Sequence, residues 1–375
     1  MNAPAQPAPQ YSQLGPGDPA PWFVQRTPRN PTYAFDGVAG RYVVMCFYAS
    51  ASDPVGRAAV DAAMADTGNF DDRRACFFGV SIDPRDAEPG GVVERLPGIR
   101  FFWDFDGAVS RLFGALPRDS KPGQSATAMR FWLVLDPGLR VLKGFPLHDS
   151  DAMFAYLDAL PPPDRSVGFE VYAPVLVVPN VFEPAFCEKL IQLYDETGGE
   201  LSGVMREVDG KTVGVVDRGY KVRKDVMVDD AVLIQQIQAR IVRRIVPEIR
   251  KIHQFDVTRM ERYLIGCYAA EDGAHFQPHR DNTTKGTAHR RFAVSINLND
   301  NFRGGEVMFP EYGGRKYKPP PGGAVVFSCS LLHAVSKVTK GRRYAFLPFL
   351  YDDAAAKQRE ANNVHLKDVA PYQPV

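Results

Sequence analysis

Between residues 42 and 135 the chain alternates short apolar runs with stretches of helical period. Tyr42 to Tyr48, Phe77 to Ile82 and Phe131 to Leu135 read as buried strands, with helices near Val55 to Met64 and Ala108 to Phe113. That alternation predicts an α/β fold. Three prolines, Pro161 to Pro163, follow a helical pattern of Met153, Leu157 and Leu160 and mark a stiff connector. Beyond it the pattern changes. Phe186, Leu190, Ile191 and Tyr194 fall at helical spacing before Gly198 and Gly199, and Val232, Ile234, Ile237, Ile241 and Ile245 do so before Pro247. Both helices need an apolar surface to cover. Strand-like runs near 261–268, 275–281, 291–298, 305–309, 315–318, 324–328, 333–338 and 343–351 supply one and predict a barrel or jelly roll.

A length of 375 residues is enough for two or three domains. Lys+Arg (45) nearly balance Asp+Glu (44) and neither sign is massed in one segment, so the charge makes no case for nucleic acid or an anionic membrane. No run approaches the roughly 18 apolar residues of a membrane span. The opening MNAPAQPAPQYSQLGPGDPAP has no basic or apolar leader region and reads as a disordered Ala/Pro/Gln tail, so a cytoplasmic protein is expected. Cys46, Cys76, Cys187, Cys267 and Cys329 are odd in number and scattered, without a CxxC pair. They read as buried, reduced thiols rather than a disulfide framework or a zinc cage.

The chemistry gathers late in the chain. His279-Arg280-Asp281 places two ligand-type side chains at i and i+2, which on a strand share a face about 6 to 7 Å apart. His333 opens the seventh run, and in an eight-stranded roll the second and seventh strands can be neighbours. Two histidines and one carboxylate form the facial triad of non-haem Fe(II) oxygenases, which leaves coordination sites open for reaction. Of the adjacent Arg342 and Arg343 only one can point inward, and a guanidinium there needs a carboxylate partner.

With these residues placed, a resemblance becomes specific. His279-x-Asp281, Gly304-Gly305-Glu306, the run Pro321 to Phe327, His333 and Arg343-Tyr344-Ala345 resemble the prolyl 4-hydroxylase branch of the 2-oxoglutarate/Fe(II) dioxygenases, over roughly residues 170 to 352. The resemblance implies a double-stranded β-helix (jelly roll) with flanking helices and Fe(II) on His279, Asp281 and His333. It further implies 2-oxoglutarate as cosubstrate, held at its distal carboxylate by Arg343, with Tyr268 and Asn297 as further cosubstrate contacts. Ascorbate is an expected reductant. The reaction implied couples decarboxylation of 2-oxoglutarate to succinate and CO2 with hydroxylation by O2 of a prolyl, peptidyl or small-molecule substrate. Related halogenases lack the carboxylate ligand, so Asp281 speaks against halogenation.

Residues about 14 to 160 resemble the thioredoxin-like peroxiredoxins, through Phe47-Tyr48-Ala49-Ser50, Gly79 to Asp83, Trp103 to Gly107 and Leu133 to Gly138. Where that family has its peroxide-attacking cysteine this chain has Gly56, and Asp53 replaces the preceding threonine. Arg130 aligns with the family's thiolate-polarising arginine, and a plain surface ion pair is its expected role. The expected organisation is a tail over 1–18, a peroxiredoxin-like α/β domain over 19–160, a linker over 161–168 and a dioxygenase domain over 169–375. The first domain is read as a protein-docking or dimerisation module. Two other functions compete: a non-catalytic interaction or redox-sensing protein, and a peroxidase using Cys46 or Cys76. The loops 198–218 and 282–289 are expected to cover the substrate, with Thr283 to Thr287 composed like a mobile lid.

Overall fold

The structure is a computed structural model that describes residues 10–122 and 126–367. The chain forms two compact units, Met1–Tyr172 with Pro310–Gly313, and Ala173–Phe309 with Gly314–Val375.

In the first unit β1 (Tyr42–Ala49), α1 (Pro54–Ala65), β2 (Ala75–Ser81), β3 (Ile99–Trp103), α2 (Ala108–Leu112), β4 (Phe131–Leu135), β5 (Val141–Pro146) and α3 (Ser150–Ala159) follow in order. The sheet runs β3-β2-β1-β4-β5, with β1, β2 and β3 parallel and β4 and β5 antiparallel to their neighbours. α1 starts where Asp53 accepts the amides of Val55 and Gly56, with proline at its first turn. Gly56 is a packing position: a Cβ there would lie 2.1 Å from the Ser50 carbonyl oxygen. Arg130 forms an ion pair with Asp53.

Two boundaries need correction. The tail expected to reach residue 18 is ordered over residues 10–18, where Gly17 donates to the Val141 carbonyl (2.8 Å) and Arg118 donates to that of Gln10 (2.8 Å). Residues 1–9 lie outside the described residues. The first unit also reaches Tyr172, beyond the expected linker, and the prolines lead into a short 3-10 turn at Pro163–Arg165.

The second unit comprises β6 (Leu176–Val178), α4 (Pro184–Thr197), β7 (Val204–Val208), β8 (Lys211–Val215), β9 (Lys221–Val222), β10 (Lys224–Met227), α5 (Ala231–Arg244) and α6 (Val246–His253). Then come β11 (Arg259–Glu261), β12 (Leu264–Ala269), β13 (His275–His279), β14 (Phe292–Asn297), β15 (Val307–Met308), β16 (Lys316–Tyr317), β17 (Ala324–Ser328), β18 (His333–Val335), β19 (Arg342–Phe346), β20 (Phe349–Tyr351) and α7 (Asp353–Ala361). The larger sheet runs β11-β20-β14-β19-β12-β10, extended by Glu200–Leu201, with β17 paired to β14 and β6 to β17. The smaller sheet runs β9-β13-β18-β15-β16. All these pairings are antiparallel, the pattern of a jelly roll.

Alternation along the larger sheet separates core from chemistry. Ile265 and Cys267 of β12, Phe292, Val294 and Ile296 of β14, and Tyr344 and Phe346 of β19 pack with Leu190 of α4, Ile237 and Ile241 of α5 and Ile249 of α6. The residues between them, Tyr268, Ser295, Asn297 and Arg343, belong to the opposite face. α5 begins on Asp230, whose carboxylate accepts the Leu233 amide, and ends on two arginines, as the helix dipole favours. Pro247, expected to end this helical stretch, instead stands in the first turn of α6, where its missing N–H costs nothing.

Candidate metal centre

The register of β13 against β18 sets His279 opposite His333. Asp281 lies just past the end of β13, not on it, and its amide donates to the Cys329 carbonyl (2.9 Å). A register shift between Phe276 and His279 turns the strand here, so the expected strand-face pairing gives way to a bend that still converges. His279 Nε2 lies 3.5 Å from Asp281 Oδ1 and His333 Nε2 lies 3.3 Å from Asp281 Oδ2. Ligand atoms of the three residues lie within 4.8 Å of one another, and among the described residues this is the one such cluster.

The protonation states suit a metal. Each Nδ1 faces a backbone carbonyl, His279 that of Gln277 (2.8 Å) and His333 that of Leu331 (3.0 Å), so each Nδ1 carries its proton and donates it. Both Nε2 lone pairs therefore face Asp281. Burial, then neighbouring His279, pushes His333 down to about 4, keeping it a neutral imidazole. Burial alone would raise the Asp281 carboxyl, but His333 and His279 outweigh it and hold it well below the usual range. Phe276 stacks on His279 with centroids 3.5 Å apart, and Phe327 lies 4.6 Å from the His333 ring. These rings pack against the imidazoles, and no cysteine belongs to the cluster. Neutral nitrogen with hard oxygen suits Fe(II).

Arg343 is buried on β19, directly across from Tyr268 on β12. Its Nε donates to Asn297 Oδ1 (3.0 Å) and its Nη2 to Ser295 Oγ (2.7 Å), whereas Nη1 is buried without a hydrogen-bond partner. Asn297 is locked in turn, since its Nδ2 donates to the Pro319 carbonyl (2.8 Å). An orphaned guanidinium N–H is costly unless an acceptor arrives, so this cradle fits the distal carboxylate of a dicarboxylate. Arg342, one residue earlier, is exposed and bound to Glu271. The guanidinium of Arg343 sits 5.3 Å from the centroid of the Tyr268 ring. Gly305, at φ +73, makes room for the arginine stem: a Cβ there would lie 3.0 Å from Arg343 Cδ and 2.9 Å from Val338 Cγ2.

Three participants escaped the sequence reading. Ser295 was findable, being two residues before Asn297 on one strand face. Arg223 and Lys221 were not, because they lie on or beside strands too short to show a period. Arg223 is bound by Asp225 through Nε and Nη2, the latter at 2.7 Å, and its Nη1 is 3.4 Å from the Tyr268 hydroxyl. The expected lid at Thr283 to Thr287 is instead an ordered 3-10 turn (Lys285–Thr287), with buried Thr284 and Thr287 hydroxyls bonded to each other and the Gly286 amide donating to Thr212 on β8.

Residues 262–351 match the model of the 2OG-Fe(II) oxygenase superfamily. A PKHD-type hydroxylase of Cupriavidus metallidurans is 36% identical over 85 residues, covering 20% of this chain and 37% of that protein. A PKHD-type hydroxylase of Synechococcus sp. (strain JA-2-3B'a(2-13)) is 32% identical over 89 residues, covering 22% and 39%. The chain thus spans under two fifths of either curated relative. Among solved structures, a prolyl hydroxylase from Trichoplax adhaerens, in complex with a hypoxia inducible factor peptide fragment, aligns at TM-score 0.37 and 17% identity, over 49% of this chain and 85% of that one. A Pseudomonas putida prolyl-4-hydroxylase aligns at TM-score 0.34 and 13% identity, over 47% and 91%.

Proposed function

We propose, from the 2OG-Fe(II) oxygenase match of residues 262–351 and the triad they carry, that this chain is a 2-oxoglutarate- and Fe(II)-dependent hydroxylase of the prolyl 4-hydroxylase-like kind. The observation that carries the reading is the His279, Asp281 and His333 cluster in the same unit as a buried Arg343 whose Nη1 lacks a partner. His279, Asp281 and His333 would hold Fe(II), and Arg343 would take the distal carboxylate of 2-oxoglutarate. Bound together, the metal and cosubstrate supply O2 activation coupled to decarboxylation, giving succinate and CO2. The chain's own residues position: Asn297 and Ser295 aim the arginine, Tyr268 would present its hydroxyl to the cosubstrate, and the Phe276 and Phe327 rings exclude water beside the imidazoles. No acid-base residue is needed. Ascorbate is the reductant we assign for metal oxidised in unproductive turnover.

The catalytic machinery lies in 169–375 and the substrate is a prolyl or other peptidyl group or a small molecule. We read 19–160 as a thioredoxin-like, peroxiredoxin-like domain, a reading supported by its order of three parallel strands followed by two antiparallel ones. Its role is docking or dimerisation in a cytoplasmic protein. A peroxidase reading finds little support, since Cys46 and Cys76 are buried, and burial drives the first thiol well up and the second to about 12. Among the described residues no helix is long and apolar enough to cross a membrane.

The test is succinate formation from 2-oxoglutarate with purified protein, Fe(II), ascorbate and oxygen, with and without a panel of peptides and amino acids. Turnover that disappears in His279→Ala supports the reading; absence of both turnover and 2-oxoglutarate binding in the wild type overturns it.

A further inference from the structure

The second unit buries several cations, and most meet a carboxylate. Arg223 is bound by Asp225, which also lies 3.6 Å from Arg262, and Arg290 and Arg359 converge on Glu261. Among the described residues, Arg343 and Lys221 are buried basic groups bonded to neutral partners. Lys221 Nζ donates to Ser202 Oγ (2.6 Å) and to the Gly203 carbonyl (2.8 Å), and among the described residues no carboxylate lies within ion-pair distance of it. Those two acceptors match the two N–H bonds of the neutral amine; the third N–H gained on protonation would call for a further acceptor.

Its position makes this more than a packing detail. Lys221 on β9 is in register with Phe276 on β13, and its Nζ lies 5.1 Å from the centroid of that ring. The other neighbour of the ring is His279, stacked on it at 3.5 Å. The amine is therefore one aromatic ring away from the metal centre, on the strand next to the one that carries its first ligand. Burial, then the nearby Arg223, pushes the ammonium down to about 6, so the protein without a partner anion disfavours the charge that an anion would restore.

We propose that the primary substrate of this chain carries a carboxylate and that Lys221 receives it. This rests on the hydroxylase reading, in which Arg343 is already committed to the cosubstrate. The two basic groups then divide the labour, one per acid. The carboxylate belongs to a free small acid or to an acidic residue of a peptide, and the recognition chemistry at Lys221 is the same for both.

The test uses the full-length protein loaded with Mn(II), a paramagnetic stand-in for iron, and saturating 2-oxoglutarate. The relaxation of acetate methyl protons is compared with that of acetamide, its neutral twin. Acetate is expected to show saturable enhancement at least fivefold above acetamide, dropping to the acetamide level in Lys221→Met while the methylene relaxation of 2-oxoglutarate is unchanged. Lys221→Gln, which keeps donors for Ser202 and Gly203, decides the point if the methionine variant no longer holds 2-oxoglutarate. Acetyl-Gly-Asp-Gly-amide against acetyl-Gly-Asn-Gly-amide separates the sources: discrimination there indicates a peptidyl acid, and its absence alongside acetate binding indicates a free one. Equal enhancement for acetate and acetamide, or acetate enhancement that survives both substitutions, overturns the proposal. If 2-oxoglutarate itself is not relaxed in the wild type, the hydroxylase reading fails first and takes the proposal with it.

Discussion

At the scale of single residues, the site depends on which atom of each side chain is left free. Both histidines spend Nδ1 on a backbone carbonyl, and Asp281 is the member of the cluster whose oxygens approach both imidazoles. Asp281→Ala is expected to abolish stoichiometric Fe(II) binding and 2-oxoglutarate turnover with the circular dichroism spectrum unchanged; wild-type metal content in the variant would remove Asp281 from the centre. Gly305→Ala separates positioning from chemistry. The new methyl would press on the Arg343 stem at a backbone angle that L side chains rarely adopt. KM for 2-oxoglutarate should rise about tenfold, about 1.4 kcal/mol, with kcat less affected. Steady-state kinetics with 2-oxoglutarate as the varied substrate would check this, and an unchanged KM would mean that the arginine does not face the cosubstrate.

At the scale of elements, strands and helices were legible where each carried a full period. The strand-like runs that became β14 and β19 announced a sheet, and the isoleucines of α5 announced the helix that covers it. Alternation along a strand allowed only one of Arg342 and Arg343 to face inward, and the family resemblance, not the alternation, singled out Arg343. Shorter pieces were opaque: β9 has two residues, too few to show which side Lys221 faces, and the bend after His279 depends on a register shift that sequence spacing does not encode. Composition misled at Thr283 to Thr287, because threonines that look mobile in sequence are each other's partners here. Truncation of Ile237 on the buried face of α5 should lower stability by about 2 to 5 kcal/mol, read by chemical denaturation. Acid should act through the ion pairs. Burial would raise Asp225, but Arg223 outweighs it and holds the carboxyl at about 2. Its contribution, on the order of 2 kcal/mol, is complete above the usual carboxylate range near 4 and is lost as pH falls toward 2. Glu261, also held low by Arg290 against its burial, works in the same direction. Wild-type stability should therefore decline steeply between pH 4.5 and 2, and Glu261→Gln should be less stable at pH 7 with a shallower decline.

At the scale of the whole molecule, all five cysteines are buried and free. The native protein should release almost no colour from Ellman's reagent, and five thiols per chain in denaturant; fast reaction of any native thiol would reopen a cysteine-based chemistry. In the first unit, the Ser50 carbonyl fills the space that a side chain at position 56 would need, so Gly56→Cys should lower the melting temperature without conferring peroxide reduction. The second unit shows a different economy. On β12, β14 and β19 every other side chain belongs to the helix-packed core and the intervening ones to the site. Such a strand is read in frame, like a codon sequence. An insertion or deletion of one residue within it would exchange the two sets at once, burying Asn297 or Arg343 among leucines and isoleucines and turning isoleucine into the site. Change in this chain can therefore proceed by replacement at alternate positions or by growth of the loops, while the lengths of these three strands stay fixed.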